Sequence, residues 1–303
     1  MTLKHWFKRG LAALSIATLA AGCGSAAPAQ RTSAAPRPAL WQVKDRDTIV
    51  YLFGTIHLLP RGYQWRTPKL DAAVARSNGL VVETIIDAKN PAELMAVMAR
   101  LGVNPSAPPL LSRVPADKRA ALQAAIARSG VPAAAYDRLE TWAAAFTLIG
   151  TQFRSIGLHG DEGVETTLKQ AFTAAGKPVG QLETNAEQLG FFDTMPEEAQ
   201  RALLIASLDQ PEKVRDQFND MLAAWVRGDV AAIAKTFNDD MAGSSALSEA
   251  LLRRRNANWA RWIEGRMGQP GAVLVAVGAG HLAGNNSVQA MLQQRGLKVT
   301  RVQ

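Results

Sequence analysis

Ala272-Val273-Leu274-Val275-Ala276-Val277, running into Gly278-Ala279-Gly280-His281, is the strongest buried-strand run in the chain. Small and β-branched apolar residues without a polar alternate describe a strand covered on both faces, as in a parallel sheet packed between helices. After it the chain predicts a helix to about Arg295 and a last strand from Leu297 to Val302. Upstream, a β-rich stretch from Thr48 to Phe53 ends in Gly54-Thr55-Ile56-His57. Turns at Arg61-Gly62 and Thr67-Pro68 then lead into a helix that ends near Asn78-Gly79. The short strand Leu80-Val81-Val82 ends at Glu83. A helix from Gly163 to Ala175, closed by Gly176, precedes a third such strand, Pro178 to Leu182, ending at Glu183. The recurrence of strand, polar turn and helix gives an α/β fold with a mostly parallel or mixed sheet sandwiched by helices.

Two stretches carry no strand. From Pro91 to about Gly150 the chain is Ala-rich, punctuated by proline and helical in period, with Pro115-Ala116-Asp117 as a start and Gly130 as a stop. It reads as a long helical insertion. From about Ala186 to Arg266 several more helices follow, broken near Pro196, Pro211, Gly228 and Gly243.

The chain has 303 residues, 48% of them hydrophobic and 20% charged, with mean hydropathy near zero, which excludes disorder as the default. No apolar run is long enough to span a bilayer. The net charge of +8 is concentrated at the front: Lys4, Lys8, Arg9, Arg31 and Arg37 precede Trp41 without an acid among them, leaving +3 for the rest. With no basic patch interleaved with aromatics, a nucleic-acid partner is not expected.

The front has its own meaning. Met1 to Arg9 is basic, Leu11 to Ala21 is apolar over half a membrane span, and Leu19-Ala20-Ala21-Gly22-Cys23 resembles the bacterial lipobox. Residues 1–22 are expected to be an export signal, Cys23 the lipidated anchor, residues 23–40 an Ala-, Pro- and Ser-rich tether and 41–303 the folded domain. Gly24 in place of Asp favours an outer-membrane anchor facing the periplasm. The chain's one cysteine rules out an intramolecular disulfide and a Cys-based zinc site.

Chemistry concentrates where strands end, because ligands of open α/β sheets bind beyond the strands' carboxyl ends. His57, Glu83, Glu183 and His281 all fall there, and both histidines sit in Gly-x-x-His turns. Two imidazoles with one or two carboxylates suit a divalent metal such as Mn, Co or Zn. The same set also suits metal-free chemistry, with a histidine as general base and backbone amides or an arginine stabilising an oxyanion. Spacing alone does not choose between them.

The loop Gly278 to Gly284 departs from a dinucleotide fingerprint, and there is no Gly-x-Ser-x-Gly, His-Glu-x-x-His or Walker motif. Arg253-Arg254-Arg255-Asn256 lies on a predicted helix with Trp259, either as a solvated basic face or with Arg255 turned to a substrate. Glu165, in Gly163-Val164-Glu165, opens a helix and is favourable there through the helix dipole alone. His159 is expected to be exposed in its Gly-rich loop.

Leu52 to His57, Val82-Glu83, Gly163-Val164-Glu165, Lys177 to Thr184, Arg255-Asn256 with Trp259, and Val277 to Leu282 together resemble the TraB/GumN family, in family order. The resemblance implies an erythromycin-esterase/ChaN-like α/β fold and, through the TIKI branch, metal-dependent peptide hydrolysis. It makes His57, Glu83 and His281 the candidate metal ligands, with Glu183 as a further ligand or the base and Arg255 at the oxyanion. Glu165 stands where the family commonly has Asp, which puts a metal role for it in doubt. The expected protein is a lipid-anchored hydrolase with a peptide or small-molecule substrate. The alternatives are a non-catalytic binder of a peptide, signal or iron/haem compound, and a metal-independent esterase with a histidine base.

Overall fold

The computed structural model describes residues 35–86, 91–241 and 248–303. Cys23, the export signal and the break expected at Gly243 lie outside the described residues. Six strands, β1 (Leu40–Lys44), β2 (Thr48–Thr55), β3 (Gly79–Val82), β4 (Val179–Gln181), β5 (Gly271–Gly278) and β6 (Val299–Arg301), form one sheet in the order β4-β3-β5-β2-β1-β6. Strands β2, β5, β3 and β4 run parallel, and β1 is antiparallel to both β2 and β6. The sheet is therefore mixed and mostly parallel.

The expected strands form, and one more precedes them. The hairpin from β1 to β2 turns on Asp45, whose Oδ1 accepts from the backbone N–H of Asp47 at 3.1 Å and of Thr48 at 2.8 Å. The helices are α1 (Pro68–Arg76), α2 (Ala92–Leu101), α3 (Ala116–Ser129), α4 (Ala133–Tyr136), α5 (Thr141–Ser155), α6 (Val164–Ala174), α7 (Asn185–Asp193), α8 (Glu197–Ala206), α9 (Pro211–Val226), α10 (Val230–Met241), α11 (Arg254–Arg266) and α12 (Val288–Gln294). Gly130 ends α3 in the left-handed conformation, φ 70°, as its position in the sequence implies. The helix expected straight after His281 starts only at Val288, because Ala279–Leu282 makes a 3₁₀ turn and Gly284 takes φ 79°. No helix among the described residues is long and apolar enough to cross a membrane.

Alternation along the central strands separates two cores. Tyr51, Phe53, Leu274 and Ala276 face one side, while Val50, Leu52, Val273, Val275 and Val277 face the other. Trp259 and Ile263 of α11 and Val288 and Leu292 of α12 cover the second side. The first side is covered by α1 and by the helices from α2 to α10, through Leu70, Trp142, Leu168 and Trp225 among others. The helical stretch expected to be an insertion is thus a structural layer of the sandwich. Trp225 of α9 packs on Phe53 with ring centroids 6.4 Å apart and donates from Nε1 to the Gly54 carbonyl at 2.8 Å. That layer accordingly pins the end of β2, where His57 begins.

The fold takes hold before Trp41. The Arg37 N–H donates to the Val226 carbonyl at 2.8 Å, Gln303 Nε2 donates to the Pro38 carbonyl, and Leu40 has no exposed surface. The last residues counted as tether therefore belong to the domain. Burying a leucine contributes about 1.5–3 kcal/mol. A chain starting at Trp41 is expected to be less stable by about that amount than one starting at Ala35. The check is the urea midpoint of the two, and equal midpoints would show that residues 35–40 only rest on the surface.

Candidate functional site

The parallel register of β2 and β5 pairs Thr55 with Gly278, so both Gly-x-x-His turns leave the sheet side by side. A Cβ on Gly54 would stand 3.1 Å from the Cα of Ala279, so the two turns pack against each other. Glu83 follows β3 and Glu183 follows β4, on the same edge. Arg255 reaches in from the first turn of α11. His57, Glu83, Glu183, Arg255 and His281 are all buried, and the structure brings all five together.

Arg255 is the centre of the cluster. Its Nε donates to both oxygens of Glu183 at 3.0 Å, and its Nη2 to Glu183 at 2.8 Å and to Glu83 at 2.7 Å. Its Nη1 lies 3.2 Å from His281 Nε2 and 3.5 Å from the Leu251 carbonyl. Every N–H of the guanidinium thus has an acceptor. This corrects the expectation that Arg255 serves an oxyanion, since no donor is left over. Neighbouring Arg253 and Arg254 are exposed, so the basic run is a solvated face except at Arg255.

The tautomer of His281 follows from its neighbours. Asn256 Nδ2 donates to the Asn286 carbonyl at 2.7 Å, which turns Oδ1 toward His281 Nδ1 at 2.6 Å. Nδ1 therefore carries the proton, and Nε2 offers its lone pair to Arg255. Burial, reinforced by Arg255 and His57 against the pull of Glu83, lowers the His281 pKa to about 3 and keeps the ring neutral. Glu83 also accepts from the Gly278 N–H at 2.6 Å and from Gln188 Nε2 at 3.2 Å. Burial alone would raise its pKa, but Arg255, with smaller help from His281, His57 and the Gly278 N–H, holds it at about 2. Burial wins at Glu183, whose pKa is raised despite Arg255. Both Glu183 oxygens are engaged, Oε1 also accepting from Trp259 Nε1 at 2.9 Å.

Glu165 turns out to belong to the site. Its Oε1 lies 2.5 Å from His57 Nδ1 and accepts the Thr55 hydroxyl as well. The preceding glycine makes this approach possible: a Cβ on Gly163 would stand 2.2 Å from the His57 carbonyl oxygen. The Val164 N–H donates to the Ile56 carbonyl at 3.0 Å, docking the start of α6 onto the loop. A glycine two residues ahead of an acid in a helix's first turn was the available signal. Gln188 and Asn256, which hold Glu83 and His281, gave no comparable sign of these contacts. His159 is half-buried, its backbone pairing with Leu59.

The family resemblance implies a divalent metal on His57, Glu83 and His281. His57 Nε2 and His281 Nε2 stand 4.0 and 3.8 Å from the same oxygen, Oε1 of Glu83. Ligand atoms around a tetrahedral ion with bonds of about 2.1 Å are about 3.4 Å apart. More decisively, the lone pair His281 would give a metal faces the Arg255 guanidinium. Among the described residues no group of three or more His, Cys, Asp or Glu side chains is placed to hold a metal ion. As arranged, these residues do not fit a three-ligand metal site.

The family model of the TraB/PrgY/gumN family matches residues 39–301, and so covers the sheet, both glycine turns and Arg255. The chain belongs to that family. Among curated proteins it is similar to the "Uncharacterized protein YbaP" of Escherichia coli (strain K12) and of Shigella flexneri. Each is 25% identical over 247 residues, covering 80% of this chain and 87% of the relative. No solved structure matches the chain significantly.

Buried titrating groups link this TraB/PrgY/gumN site to stability. The unfolded chain takes up a proton on His281 near pH 6.5, while the folded ring resists until about 3, so acidification across that window favours unfolding. Glu83, with an ordinary value of 4.5 and a folded value of about 2, adds a second loss as pH falls from 4.5 toward 2. The urea midpoint is expected to decline below pH 6.5. In His281→Gln the part of the decline between 6.5 and 4.5 should flatten while the lower part persists. An unchanged slope would mean that His281 protonates in the folded state.

Proposed function

We propose that this chain is a hydrolase of the cell envelope that activates water at His57, tethered to the membrane through Cys23. The observation that carries the reading is the contact of 2.5 Å between Glu165 and His57 Nδ1 at the carboxyl edge of the sheet. An imidazole held at Nδ1 by a carboxylate presents Nε2 in a fixed direction and is stabilised once it has taken a proton. Nε2 looks across 4.0 Å to Glu83 Oε1, a separation that one water molecule can bridge. With its pKa near 2, Glu83 is too weak a base to compete for that water's proton. It instead orients the water and offsets the charge that develops on His57. Glu183 and Arg255 act through Glu83 and hold it in place. The preference for peptide bonds rests on the resemblance to the TIKI branch.

A metal-dependent form of the same hydrolysis is the second reading, with Mn, Co or Zn on His57, Glu83 and His281. What favours it is charge: Glu83 and Glu183 pair with Arg255 while Glu165 pairs with His57, so three carboxylates share the site with one guanidinium. It requires Arg255 to withdraw from His281.

The test is a panel of peptides and activated esters, assayed with the chain from Ala35 and with and without chelator. His57→Ala is expected to abolish hydrolysis. Glu165→Gln is expected to lower kcat about 10²-fold with little change in KM, the size of a general-base contribution. Hydrolysis untouched in His57→Ala would refute the reading. Retention of a peptide, signal or iron/haem compound without product would instead make the cleft a binding site.

Gly278 supplies an independent test. Its backbone, at φ −49° and ψ 136°, suits any residue, but a Cβ would stand 3.1 Å from Glu83 Oε1 and 3.2 Å from His57 Nε2. Gly278→Ala is therefore expected to cost at least about tenfold in kcat/KM, or 1.4 kcal/mol of barrier, with the thermal midpoint nearly unchanged. Full activity in that variant would place the reacting water elsewhere.

A further inference from the structure

The disagreement between the implied metal and the observed contacts has its own content. Arg255 touches two of the three implied ligands, Glu83 at 2.7 Å and His281 Nε2 at 3.2 Å, and engages Glu183 as well. We infer that the Arg255 guanidinium is the resident cation of this site and excludes a divalent metal ion from it. The inference rests on the metal-free form of the proposed hydrolysis and identifies the group that replaces the metal.

Three contacts hold the guanidinium in this place. Glu183 receives the Nε and Nη2 side of the fork, which fixes the plane of the guanidinium. Trp259 stacks against it, with Cζ 4.8 Å from the ring, and also donates to Glu183. Asn256 fixes the His281 proton on Nδ1, so that Nε2 must accept from Arg255. Arg255, Asn256 and Trp259 all belong to α11, whose apolar face is packed under the sheet. Withdrawing the guanidinium would strip two buried carboxylates of their counter-charge at once. A metal entering beside it would add two like charges to a site already holding one, and would find Nε2 of His281 taken.

The experiment is a Co(II) titration of the metal-stripped chain from Ala35, read by visible d–d absorption and equilibrium dialysis, which do not depend on any activity. Wild type is expected to bind no stoichiometric Co(II). Arg255→Met removes the charge at similar length and releases His281, and is expected to bind one Co(II) per chain, about a hundredfold or more tighter than wild type. Arg255→Met combined with His281→Ala should lose that gain, and Arg255→Lys should not show it. One tightly bound Co(II) in wild type, lost in His57→Ala, would overturn the inference and restore the metal-dependent reading. Should Arg255→Met fail to fold, the wild-type titration decides alone. Hydrolysis is measured separately, so a metal-free wild type that cleaves nothing would sink the proposed activity and leave this inference standing.

Discussion

One buried guanidinium, that of Arg255, ties the two sides of the fold together. It comes from α11, beneath the sheet, and ends between carboxylates that leave two different strands, β3 and β4. An arginine this deep is tolerated only with its charge and every donor satisfied, and here five N–H groups meet carboxylate, imidazole and carbonyl acceptors. The reciprocal constraint is as strong. Glu83 and Glu183 stand next to each other on a buried sheet edge and would repel without a cation between them. The arrangement therefore fixes the approach of α11 to the strand ends, which apolar packing of Trp259 and Ile263 alone would leave free to slide.

Around that point the fold follows from alternation. Because β2 and β5 are covered on both faces, Ile49 to Phe53 and Ala272 to Val277 carry hydrophobic side chains on both faces, and each face selects its own layer of helices. The parallel pairing of these two strands brings Gly-x-x-His turns from opposite ends of the chain to one place. The site is thus a consequence of topology: residues more than two hundred positions apart become neighbours because their strands do.

What was legible in the sequence was whatever leaves a periodic or strand-end trace. The long apolar run of β5, the Gly-x-x-His turns and the acids after β3 and β4 could be read directly, and all four strand-end residues meet. Burial of a charged residue leaves no such trace. Arg255 stands beside two exposed arginines in an unbroken basic run, and only helix phase separates them, since Arg255, Asn256 and Trp259 turn inward together. Glu165 was obscured by a sufficient local explanation, because an acid in a helix's first turn needs no further partner. β1 is short and half polar, and its hairpin depends on a single Asp45 turn, so its pairing comes from tertiary context. The helical layer was legible as helices but not as a layer, because which face of a sheet a helix covers is decided by packing partners far away in sequence.

The two Gly-x-x-His turns look equivalent in sequence and are not equivalent in chemistry. His57 is gripped at Nδ1 by a carboxylate, which supports a positive charge on the ring. His281 is gripped at Nδ1 by an amide oxygen and at Nε2 by a cation, which forbids one. The two rings are therefore held by opposite kinds of partner, a carboxylate at His57 and a guanidinium at His281. His281 steadies the Arg255 fork, the fork holds Glu83, and Glu83 faces His57 across the gap.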